Sequence, residues 1–228
     1  MPDVSVAACA AYTPEVCERA LTEVLAPLGG LEWVRPGMRV VIKANLVAAM
    51  KPDAAATTHP TLLAALTRLL KRRGAAVVIG DSPGNRFTPA VLEHVYRVTG
   101  LAEAEAAGAE LNRNFDQKEA SFPEAFVARR FSYTAYLDDA DAIISFCKLK
   151  SHGMMSLSAA TKNLFGVVPG TTKPEYHFRL LNRSVKALAQ QYGADYVSIP
   201  YTSIANDGHP TVCGHKYIAR QILKAVRK

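Results

Sequence analysis

Three apolar runs rich in β-branched residues, RVVIKANL at 39–46, AAVVI at 75–79 and DAIISFCK at 141–148, alternate along the chain with stretches of helical periodicity. Short, continuous apolar runs read as buried strands, and helices between successive strands are the crossovers of a parallel sheet. The fold class that follows is α/β. It is an open, mostly parallel, Rossmann-like sheet with crossover helices, in which a βα tail completes a truncated sheet.

Local signals place the remaining elements. A strand is predicted at Val4–Ala8, and a helix at Pro14–Leu25 with Thr13 as N-cap and Pro14 in the first turn. Thr58-His59-Pro60 opens a helix that runs through Arg73 and closes at Gly74. The strand at 75–79 leads into the tight loop Gly80-Asp81-Ser82-Pro83-Gly84, at the carboxyl end where open α/β sheets bind ligands. Helices over Thr88–Thr99 and Leu101–Ala107 precede a strand near Glu110–Phe115, and residues 125–137 alternate as one or two strands. Ala159–Phe165 is helical and ended by Gly166. After Leu181 come a helix over NRSVKALAQQYG, a strand at ADYVSIP and a last helix with its basic residues toward the C-terminus.

Composition narrows the function classes. At 228 residues and 49% hydrophobic, the chain can bury a substantial core. Its net charge of +7 is not gathered into a tail, and aromatic residues do not alternate with arginines, so nucleic acid is not an expected partner. No apolar run approaches the ~20 residues of a membrane span, and MPDVSVAACA lacks the basic start of an export signal. A cytoplasmic protein without membrane contact is expected. The four cysteines, Cys9, Cys17, Cys147 and Cys213, form no CxxC pair. No cysteine-ligated iron–sulfur cluster is expected from this chain, and they read as small hydrophobes in a reducing compartment. No other cofactor is indicated.

The functional signal is the segment 148–177, which holds four lysines and two histidines with Glu175 as its only carboxylate. Cationic groups without counter-charges, interrupted by glycines, suit a small anionic ligand bearing carboxylate or phosphate. Lys148, Lys150 and His152 alternate, so on one strand they would project to the same side. If Lys162 and Lys173 converge on them, mutual repulsion should depress their pKa values. Lys162 or His152 would then act as base in proton-transfer or redox chemistry, with His177 a further acid/base candidate. Lys43 and Asn45, two apart at a strand end, offer a charge and an amide to the same ligand, and Asn163 adds another amide. His59 could carry a proton or cap its helix, and Asp81 and Ser82 could bind a ligand hydroxyl or cap a turn. The histidines lack metal-ligand spacing, so no metal site is predicted.

Six elements then appear in order: Lys43-Ala44-Asn45-Leu46, Thr58-His59-Pro60, Gly80-Asp81-Ser82-Pro83-Gly84, Lys148-Leu149-Lys150-Ser151-His152, Thr161-Lys162-Asn163-Leu164-Phe165-Gly166, and Pro169-Gly170 with Lys173 and His177. Through them, residues 40–180 resemble the family known as domain of unknown function 362. The resemblance implies no general biochemical role. Its members often carry a ferredoxin-like iron–sulfur module, so a ferredoxin-like or other acidic partner is one expectation. Residues 182–226, with Asp207-Gly208-His209-Pro210-Thr211 and Gly214-His215-Lys216-Tyr217-Ile218-Ala219, resemble the end of SGNH/GDSL hydrolases. That second resemblance implies a serine esterase using Ser82, Asp207 and His209. The expected organisation is a family-362-like α/β domain at 1–181 and a hydrolase-like segment at 182–228 packed on it. Three functions stay open: an anion-binding protein, the esterase, and a non-catalytic module for an acidic partner.

Overall fold

Helix α1 (Pro14–Leu25) starts where the sequence places it, because the Thr13 side chain accepts the Val16 N–H and Pro14 occupies the first turn. The computed structural model describes residues 4–125, 129–152 and 156–176. After α1 come strand β1 (Arg39–Lys43), helix α2 (Pro60–Arg72), strand β2 (Ala76–Gly80), and helices α3 (Pro89–Val98) and α4 (Ala102–Ala106). Strands β3 (Glu110–Leu111), β4 (Gln117–Ser121), β5 (Arg130–Thr134) and β6 (Ala142–Ser145) follow. The hairpin β7 (Lys150–His152) and β8 (Ser156–Ser158) and the short helices α5 (Ala160–Leu164) and α6 (Lys173–Tyr176) complete the described elements.

The main sheet has the order β3-β2-β1-β6, and every pair in it is parallel. Strand alternation sorts the side chains onto two faces. Val40 and Ile42 join Val77 and Ile79 in the larger core, whereas Val41 and Val78 pack on the other face with Tyr136. Helix α2 contributes Leu63, Leu66 and Leu70, spaced three and four apart so that one stripe faces the larger core. Each leucine so buried stabilises the fold by about 2 kcal/mol. Helix α2 ends at Gly74, whose φ of +81° places it in the left-handed region. A Cβ there would stand 3.0 Å from the Pro36 backbone.

Several expectations are corrected. Val4–Ala8 forms no strand: Val4 and Val6 are 75% and 90% exposed, so their alternation buries nothing. The strand expected to reach Leu46 stops at Lys43, because the Leu46 N–H turns to Asp81 Oδ2 at 2.6 Å instead of continuing the ladder. The strand expected over 110–115 is two residues long. Strand β4 pairs antiparallel with β5 and gave no apolar signal, since QKEAS is polar and mostly exposed. Lys148, Lys150 and His152 do not leave one strand, because β6 ends at Ser145 and β7 pairs separately with β8. The helix, strand and helix read beyond Leu181 lie outside the described residues.

Candidate functional site

From β1 the sheet grows through β2 to β3 on one side and then to β6 on the other. The carboxyl ends of β1, β2 and β6 therefore bound a topological switch point, the usual ligand crevice of an open parallel sheet. Lys43, Gly80 and Ser145 stand level there in register, and the loops that follow them converge.

The floor of the crevice is an ion pair. Lys43, 0% exposed, donates to Asp81 Oδ1 at 2.6 Å and to the Ala44 carbonyl at 2.7 Å. Asp81 Oδ2 is taken by the Leu46 N–H. Gly166 crosses so closely that a Cβ on it would overlap Asp81 Oδ1 and stand 2.5 Å from Lys43 Nζ, and its carbonyl accepts the Ser82 N–H at 3.0 Å. Only glycine fits over this pair.

One wall is an amide relay. Asn163 donates to the Lys43 carbonyl at 2.9 Å and to Ser145 Oγ at 3.2 Å, and its Oδ1 accepts from Asn45 Nδ2 at 3.1 Å. Asn45 Oδ1 in turn accepts from Lys150 Nζ at 2.8 Å, and Lys150 also donates to the Ala56 carbonyl. Thr58 Oγ1 accepts the Asn45 N–H and donates to the Phe146 carbonyl, tying the β1 and β6 loops together.

Above this floor lies a cavity of about 240 Å³ lined by Asn45, Asp81, Ser82, Lys150, His152, Lys162, Asn163, Phe165, Gly166 and Lys173, among others. Its three lysines differ in how they are held. Lys173 is caged by the carbonyls of Ser82 (2.7 Å), Val168 (2.6 Å) and Pro83 (3.2 Å), with Ser82 Oγ at 3.1 Å. Lys150 is held by the amide relay. Lys162 Nζ has only the Phe165 ring, 4.8 Å from its centroid, and no hydrogen-bond acceptor among the described residues. Burial pushes Lys150 and Lys162 down to about 8 and Lys173 to about 7, with neighbouring lysines adding to the fall and Asp81 opposing it. For Lys173 the carbonyl cage favours the ammonium and works against burial, whereas Lys162 has no such acceptors among the described residues. Asp81 is the one carboxylate among the described lining residues, and Lys43 already occupies it.

The structure thus gathers Asn45, Asp81, Ser82, Lys150, His152, Lys162, Asn163 and Lys173 around one cavity. Three expected ligand residues are placed elsewhere. Lys43 lies beneath the floor, fully spent on Asp81. His59 caps α2, its Nδ1 accepting the Thr61 N–H at 3.3 Å, and its ring stacks on Tyr12 with centroids 3.7 Å apart. Lys148 does not line the cavity, and its charge falls on His59, where it adds to burial in lowering the histidine's pKa. His177, Asp207 and His209 lie outside the described residues. Ser82 is 2% exposed, and its Oγ accepts the Gly170 N–H at 2.8 Å and a Lys173 proton, so it ties the β2 loop to the 168–173 segment. Phe165 and Gly166, read from the sequence only as a helix end and part of a family motif, also line the cavity. Their signal was the position of Phe165 three residues after Lys162, one helical turn on. Among the described residues no group of three His, Cys, Asp or Glu is placed to hold a metal ion.

Residues 40–222 match the family described as "Domain of unknown function (DUF362)". The chain belongs to this family. The DUF362 match runs through residue 222, and so includes most of the segment that the sequence likened to a hydrolase ending. The thylakoid-associated protein sll1697 of Synechocystis sp. is 33% identical over 159 residues, 69% of this chain and 48% of that protein. The chain spans about half the length of that curated relative. No solved structure matches. No helix among the described residues is long and apolar enough to cross a membrane.

Proposed function

We propose that this DUF362 protein binds a small anion carrying a carboxylate or phosphate in the crevice, with Lys162 as its principal contact. The observation that carries this reading is the Lys162 ammonium, partly desolvated in the cavity with, among the described residues, no acceptor and no unspent carboxylate beside it. A desolvated cation without a partner is costly, and an anion supplies both the charge and the acceptors. Lys150 and the Asn45–Asn163 relay provide directional polar groups on the adjoining wall. A cavity of about 240 Å³ suits a metabolite-sized ligand.

The same residues fit proton transfer at a carboxylate-bearing substrate. Lys162, at about 8, is close enough to neutrality to serve as base, and His152 lines the same cavity as its acid/base partner. The esterase reading gains nothing from Ser82, whose hydroxyl already accepts two protons.

The test is native mass spectrometry for a co-purifying anion, then thermal-shift measurement against inorganic phosphate and small mono- and dicarboxylates. Stabilisation that Lys162→Met abolishes supports the proposal. No stabilisation by either class, or stabilisation indifferent to the substitution, overturns it. A cytoplasmic location belongs to the same proposal, and since the relative is described as thylakoid-associated, cell fractionation is its test. Recovery in the membrane pellet would contradict it.

A further inference from the structure

Outside the lining of the crevice, the segment before α1 and the first turn of that helix bring two thiols to one acceptor. Cys9 Sγ donates to the Ala11 carbonyl at 3.5 Å, and Cys17 Sγ reaches the same oxygen at 3.9 Å. Cys9 is exposed, whereas Cys17 is 0% exposed and packed in the larger core. An exposed thiol held against a buried one is the arrangement of an attacking and a resolving cysteine.

We propose that Cys9 and Cys17 form a redox pair that closes to an intramolecular disulfide when the protein meets a small-molecule disulfide. The Cys9 thiolate attacks one sulfur of the oxidant, whose S–S bond breaks and releases one thiolate, leaving a mixed disulfide on Cys9. The Cys17 thiolate then attacks Cys9 Sγ, forming the Cys9–Cys17 bond and expelling the second thiolate. The protein gives up two electrons and two protons, and the oxidant leaves as two thiols. Exposure sets the order. Burial raises the Cys17 thiol to about 12, so it reacts second, on the Cys9 that shares its acceptor, rather than meeting the oxidant itself.

The backbone permits the closure. Residues 4–10 belong to no helix or strand, so Cys9 can approach to the ~2.05 Å of a disulfide while α1 stays in place. Tyr12 lies between the two cysteines and stacks on His59, the cap of α2. Closure therefore fastens the segment that carries this stack to the start of α1.

The experiment treats the full chain with excess glutathione disulfide, blocks remaining thiols with an alkylating reagent, and maps peptides without reduction. The expected result is an intact mass about 2 Da lower before alkylation, and after it a linked peptide joining Cys9 to Cys17, an alkylated Cys147, and recovery of the Cys9 and Cys17 thiols with dithiothreitol. Cys9→Ser should give no cross-link, and Cys17→Ser should stop at a lasting glutathione adduct on Cys9. A lasting adduct on Cys9 in the unsubstituted chain, two unreacted thiols, or a link from either to another cysteine overturns the proposal. Mapping of the unsubstituted chain decides the matter even if the buried Cys17→Ser change disturbs folding.

Discussion

Replacing Lys162 by Met should make the ligand-free protein more stable at neutral pH. The Lys162 ammonium is lowered from 10.5 to about 8 by burial first and by Lys150 and Lys43 next. At about 1.4 kcal/mol per pH unit, that is roughly 3 kcal/mol against the charged folded form. Screening in a half-open crevice leaves about 1–2 kcal/mol. Methionine keeps an unbranched stem against Phe165 and removes the charge. Because the folded value lies below the unfolded one, the unfolded chain binds more protons between about pH 8 and 10.4. The penalty is therefore complete below pH 8, and the stability of the unsubstituted protein rises through that window. Urea unfolding of dialysed protein at pH 7 and pH 10 reads this directly. Lys162→Met should be ahead by about 1–2 kcal/mol at pH 7, with the gap closing by pH 10. A variant less stable at pH 7, or a gap indifferent to pH, would mean that Lys162 already has its counter-charge and that the crevice does not call for an anion.

Four further variants have expected outcomes. Asp81→Asn strips the carboxylate from the fully buried Lys43 and should cost about 3 kcal/mol, lowering the melting temperature by roughly 6–12 °C in calorimetry. Because Asp81 also supports the charge of Lys150, Lys162 and Lys173, the same variant should lower their titration midpoints in NMR spectra of the lysine side chains. Gly166→Ala should cost about 2–3 kcal/mol in urea unfolding, since its Cβ intrudes on the Lys43–Asp81 pair. Gly84→Ala, whose Cβ would meet only the Val47 carbonyl at 3.4 Å, should stay within about 1 kcal/mol of the parent. His59 has its pKa lowered by burial, with Lys148 adding to the fall, so stability drops as the pH falls below about 6.5, where the unfolded histidine takes up its proton. His59→Asn keeps a capping acceptor without that titration, and its stability between pH 7 and 5, read by urea unfolding, should decline less steeply than the parent's.

The parallel sheet was legible because its strands are apolar and its helices carry their own caps. Thr13-Pro14 and the 58–60 triplet fixed two helix starts through local chemistry that needs no tertiary information. Strand β4 was not legible, since its ladder depends on β5 rather than on buried side chains of its own. Val4–Ala8 failed the other way, showing alternation with no face to cover it. In the crevice, Asn45 and Asp81 were legible from their position just past the ends of β1 and β2, whereas Lys150 and Lys162 are brought to them by β7 and α5. What sequence spacing could not show was pairing across the chain. Lys43 reads as a ligand residue until Asp81, in the next strand's loop, is seen to consume it. Lys148 and Lys150 look equivalent until the chain turns between β6 and β7 and sends only Lys150 to the cavity.

The account rests on an anion at Lys162, and isothermal titration with inorganic phosphate and with a small dicarboxylate tests that most directly. Saturable binding of one of them by the unsubstituted protein, lost in a Lys162→Met variant that folds as stably or more so, is the predicted result. Absence of saturable binding by both, or equal binding by parent and variant, would contradict it.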